Sequence, residues 1–114
     1  MNHTINAAGK KLGRVASEAA SLLRGKLSPD FERNVLPTLS VTIENAGMLS
    51  LTEKKQQEKK YRRYSGYPSG QKEESLARLL TRRGVGVAVR RAVYGMLPKN
   101  KLRARAIKNL IVKK

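Results

Sequence analysis

The chain has 114 residues, the length of one domain, and 39% of them are hydrophobic, enough for a modest and mostly aliphatic core. Lys and Arg number 25 against 8 Asp and Glu, a formal net charge of +17, so the compact chain repels itself until a polyanion joins it. There is no Cys, which excludes disulfides, zinc ribbons and thiol chemistry, and no apolar run approaches the ~20 residues of a membrane span.

The start, MNHTINAAGKK, lacks the apolar region of a secretory leader, so a soluble intracellular protein is expected. Residues 3–7, HTINA, read as a short strand stopping before Gly9. From Leu12 the pattern becomes Leu12, Val15, Ala16, Ala19, Leu22 and Leu23, the stripe of an amphipathic helix, with Gly25 as its stop. Residues 27–38 hold two prolines and read as a connection. Residues 39–45 alternate through Leu39, Val41 and Ile43, a strand pattern that turns at 45–47, and MLSL at 48–51 reads as a second short strand.

The segment TEKKQQEKKYRRY that follows has no apolar face, and reads either as a polar helix or as chain ordered only by its partner. Leu76, Leu79 and Leu80 mark a helix ended by Gly84, and its opening is expected to be favoured by Glu73 and Glu74. Val85, Ala88, Val89, Ala92, Val93 and Met96 mark another, with Gly95 and Pro98 as its stop. Residues 101–109 read as a short basic helix, and 110–112 as a last strand. Strands and helical crossovers alternate, so the expected fold is a single α/β domain over 1–114 in three α/β/α layers.

Charge is unevenly spread. After Glu74 no acidic residue remains, whereas residues 75–114 carry 12 basic ones, and residues 27–52 carry only Arg33. Such concentration is the mark of an electrostatic footprint. Catalysis finds no support: His3 is the single histidine, and no constellation suits general acid–base work or metal ligation. No enzyme, cofactor or metal is therefore expected.

Three segments suit nucleic acid. GKKLGR at 9–14 departs from the nucleotide-binding loop, but its helix start with Lys10, Lys11 and Arg14 fits either a backbone phosphate or a plain solvated turn. YRRYSGYPSG at 61–70 interleaves Tyr61, Tyr64 and Tyr67 with Arg62 and Arg63. Rings and guanidinium planes stack on unpaired bases, though a tyrosine-rich loop packed on its own domain fits as well. GMLPKNKLRAR at 95–105 sets an apolar turn beside Lys99, Lys101, Arg103 and Arg105. That arrangement suits gripping RNA by shape and charge, or a core plug with a solvated tail.

GKKLGRVASEAASLLRGK (9–26), ENA (44–46), YRRYSGYPSG (61–70) and AVYGMLPKNKL (92–102) together resemble the large-subunit ribosomal protein L-thirteen family, over roughly residues 6–113. The resemblance implies a four-stranded, mostly parallel sheet, association with large-subunit (23S-type) rRNA and neighbouring large-subunit proteins, and a role early in subunit assembly. It also implies no enzymatic activity and a cytoplasmic location in the ribosome. This chain departs from the family pattern at Thr38-Leu39, where Gly-Asp is common, at Tyr64, where His is frequent, and at Ser69, where a Gly often stands. The expected RNA-binding residues are Lys10, Lys11, Arg14 and Lys26 around the first helix, then Lys54 and Lys55 in the polar segment. Tyr61, Arg62, Arg63, Tyr64, Ser65, Gly66, Tyr67 and Lys72 follow, with Arg90 and Arg91. The set closes with Gly95, Met96, Pro98, Lys99, Asn100, Lys101, Arg103 and Arg105. No membrane and no homo-oligomer are expected. The rival reading is a free-standing RNA- or DNA-binding regulator, which would need a recognition helix or dimer symmetry.

Overall fold

A computed structural model of the chain describes residues 2–26, 28–29 and 32–114. Leu27, Asp30 and Phe31, which fall in the expected connection, lie outside the described residues. The order is β1 (Asn2–Asn6), α1 (Leu12–Arg24), β2 (Ser40–Glu44), α2 (Glu53–Glu58), β3 (Lys60–Tyr64), β4 (Gln71–Ser75), α3 (Leu76–Arg83), α4 (Val85–Met96), α5 (Leu102–Ala106) and β5 (Leu110–Val112).

Helix α1 follows its stripe: Leu12, Val15, Ala16, Ala19, Leu22 and Leu23 are all buried. Gly25 ends it in the left-handed region at φ 76. There its N–H donates to Leu22 O, and the Lys26 N–H donates to Ser21 O, so two orphan carbonyls of the last turn are satisfied.

Strands β1, β2 and β5 form a parallel sheet in that order, with Thr4 opposite Thr42 and Thr42 opposite Ile111. Alternation turns Ile5, Val41, Ile43 and Leu110 inward, where they meet α1 and α4 in one core. Both crossovers step across the sheet in the same direction, and right-handed connections of that kind lay their helices on the same face. Accordingly α1 and α4 pack on each other, while Thr4 and Ile111 on the far face are exposed. The mixed α/β class is as expected. The sheet, however, has three parallel strands rather than four, and among the described residues no helical layer covers its far face.

The other two strands make a separate antiparallel hairpin, running from Lys60 opposite Ser75 to Tyr64 opposite Gln71. The polar segment thus divides into the short helix α2, capped by Thr52 accepting from the Lys55 N–H at 3.2 Å, and strand β3. Residues 48–51 are not a strand. Met48 closes a 3-10 turn, and the Ser50 N–H donates to Lys10 O, fixing this stretch to the start of α1. Glu73 and Glu74 do not open a helix either, because both lie in β4. Ser75 is the cap of α3, accepting from the Arg78 N–H at 3.3 Å.

Gly84, at φ 87, breaks α3 from α4. Leu76, Leu79 and Ala88 form a small second cluster there, flanked by Tyr61 and Leu80. Helix α4 runs on through Gly95, which has no positive φ, and stops at Leu97 in extended conformation (φ −75, ψ 150). The stop is therefore set by Pro98, whose ring excludes helical geometry from the residue before it.

Candidate nucleic-acid interface

The expected contact residues fall into three places. At the carboxyl edge of the sheet, α1 begins with Lys10, Lys11 and Arg14 exposed. Lys11 Nζ donates to Ser50 Oγ at 3.1 Å, and Lys10 lies 3.7 Å from the exposed Glu18. Such an exposed pair stabilises little and leaves the lysine available. The chain then enters α2 within a few residues of Ser50, with Lys54 and Lys55 exposed.

The second place is the hairpin. Tyr64 and Tyr67 are 67% and 75% exposed at its tip, where Gly66 (φ 90) and Ser69 (φ 60) take left-handed conformations. The Gly70 N–H donates to Tyr67 O at 2.9 Å and closes the turn, and the Ser65 N–H donates to Gly70 O at 3.3 Å. Arg62 Nε sits 2.9 Å from Glu73 Oε1 across the strands, and Arg63 stands opposite Lys72. Tyr61 differs from the other two rings. It is half-buried against the second cluster, and the Arg91 guanidinium lies over its ring at 5.2 Å. Burial raises its hydroxyl pKa, and the nearby Arg91 charge lowers it by less.

The third place is the far end of α1 and α4. Leu97 is 2% exposed and belongs to the core, whereas Met96 is 45% exposed. Pro98, Asn100 and Arg103 share a small hollow with Leu23 and Arg24, so Lys26, one step past the α1 stop, belongs to this end too. Asn100 Oδ1 accepts from the Arg103 N–H at 3.2 Å, and the Arg103 guanidinium stacks 4.1 Å over the Tyr94 ring. Lys99, Lys101 and Arg105 are exposed. Arg90, exposed on α4, also serves the fold. Its guanidinium donates to Ile107 O and Leu110 O at 3.1 and 3.0 Å, tying α4 to the entry of β5.

Helix α1, at 13 residues, separates the first place from the third by roughly 18 Å. The cations therefore form a spread of footholds, not one patch. A partner must be extended and densely anionic to meet them all. Among the described residues no cluster of His, Asp or Glu suits a metal ion, and no helix is long and apolar enough to cross a membrane.

The sequence profile of the family described as Ribosomal protein L13 matches residues 1–113. The chain belongs to that family. Its relatives include the large ribosomal subunit protein uL13 of Pelotomaculum thermopropionicum, 46% identical over 96% of this chain and 76% of the relative. The proteins of the same name from Desulfitobacterium hafniense and Thermus thermophilus are 47% and 45% identical, over 96% and 95% of this chain and 76% of each relative.

Family membership gives several local features a reason. Ser69 occupies a left-handed position, the conformation that a glycine takes without steric cost. Gly66 in the SGYP stretch and Gly25 after LLR both have positive φ, so their place in the pattern is a backbone requirement. Sequence reasoning missed Arg78 and Arg82, which with Arg63 and Lys72 line a hollow beside the hairpin. Both stand one turn apart on α3, and only the pairing of β3 with β4 brings Arg63 and Lys72 beside them, which cannot be counted until the hairpin itself is recognised.

Proposed function

We propose that this chain is a structural constituent of the large ribosomal subunit, binding large-subunit rRNA and supporting early subunit assembly. Membership of the ribosomal protein L13 family carries the reading, and a formal net charge of +17 supports it. Lys and Arg neutralise backbone phosphates and release their counterions. The exposed Tyr64 and Tyr67 rings offer faces for unpaired bases, and Met96 with Pro98 gives the third foothold its shape. Residues 1–114 act as one domain, without enzymatic activity, cofactor or homo-oligomer, in contact with rRNA and neighbouring large-subunit proteins in cytoplasmic ribosomes.

The direct experiment is sedimentation of the tagged protein from cell extract on a gradient. Co-migration with large-subunit particles and their precursors, retained after a moderate salt wash, is the expected result. Recovery only in the slow, ribosome-free fractions overturns the proposal.

A further inference from the structure

The hairpin and α3 enclose a hollow of about 390 Å³ lined by Arg63, Lys72, Glu73, Glu74, Arg78 and Arg82. Both carboxylates in it are already engaged. Arg82 Nε and Nη2 donate to Glu74 Oε1 and Oε2 at 2.7 Å each, and Glu73 is held by Arg62. Three cations are left over: among the described residues, no carboxylate forms an ion pair with Arg63, Lys72 or Arg78. Arg63 and Lys72 also stand directly opposite each other on antiparallel strands, where like charges destabilise the pair. The free protein carries that repulsion, and an anion seated between the two relieves it.

The lining also says what kind of anion. It contains no aromatic or aliphatic side chain and both of its carboxylates are engaged, so what it offers a ligand is cationic donors. Two guanidinium groups and an ammonium do suit oxygens of a phosphodiester, which arginine forks engage bidentately. We propose that this hollow seats the RNA sugar–phosphate backbone, contacted by Arg63, Lys72 and Arg78, with Glu74 positioning Arg82 at its wall. The proposal rests on the rRNA-binding reading and extends it to α3, outside the motif-bearing segments. The contact is independent of base sequence, since phosphate contacts position a protein without reading bases.

The test combines binding to a large-subunit rRNA fragment with amine labelling of the full chain. Arg78→Ala, which breaks no direct ion pair although the Arg78 charge acts on Glu74, should weaken binding by roughly three- to tenfold and reduce the salt slope by about one unit. Arg78→Lys should restore part of the loss, and thermal melts should show both variants folded. In wild type, RNA should shield Lys72 from an amine-reactive reagent while Lys108, outside the hollow, stays labelled. If wild type binds RNA but Lys72 labels equally with and without it, or Arg78→Ala binds like wild type, the seat is refuted and the broader reading survives. If inorganic phosphate alone shields Lys72 as fully as RNA does, the assignment to an RNA backbone is overturned. If wild type binds no rRNA fragment, both readings fall.

Discussion

Pro98 sets the fate of its two predecessors. It holds Leu97 in extended backbone, so that side chain turns into the core at 2% exposure while Met96 stays outside at 45%. Leu97→Ala should therefore lower the unfolding free energy by about 2–5 kcal/mol, the cost of a cavity in a packed interior. Met96→Ala should stay within about 0.5 kcal/mol of wild type and weaken RNA binding instead. Denaturant melts with parallel binding measurements check both, and equal losses of stability would contradict the division. Gly25 makes a second residue-scale case. Its φ of 76 is strained for an alanine, and an added Cβ would stand 3.0 Å from Pro37 Cγ. Gly25→Ala should cost about 1–2 kcal/mol or more, read from the same melts.

At the scale of elements, the Glu74–Arg82 pair joins the end of β4 to the last turn of α3. The hydrogen bond from Arg82 lowers the Glu74 pKa; burial opposes the shift, and the charges of Arg82, Arg63 and Arg78 reinforce it. A lowered folded-state pKa means that this stabilisation is present above the unfolded carboxylate value of about 4.3 and fades as pH falls through the folded value. Melting temperature should drop below about pH 4.3, and Glu74→Gln should flatten that part of the profile. A variant with an unchanged acid limb would show that the pair is not responsible. These same elements explain what the chain discloses before folding. The stripes of α1 and α4 and the alternation of β2 are legible because each buries one face in a common core. The hairpin is not, because KYRRY and QKEES bury almost nothing and pair through Arg62 and Glu73 across the strands. Reading Glu73 and Glu74 as helix openers failed for that reason. The three footholds, marked by local motifs, were legible as segments, but their separation along α1 emerges only in three dimensions.

The whole molecule is a slab of 46 × 36 × 18 Å with a radius of gyration of 15.2 Å, against roughly 13 Å for a compact domain of this length. Its accessible surface is 7897 Å², where a monomeric protein of this size exposes roughly 6,200 Å². The hairpin strands, exposed along most of their length, and the open face of the sheet both contribute to the excess. A thin, spread, cationic body gains little from self-association and much from a folded polyanion that fills its concavities. The measurement that bears most directly on this account is affinity for a large-subunit rRNA fragment across a salt series. If about 6–10 phosphates are neutralised, affinity should fall by roughly 10³–10⁵ between about 50 and 200 mM salt, on the scale known for duplex DNA. An affinity that barely changes across that range would contradict recognition by distributed phosphate contacts.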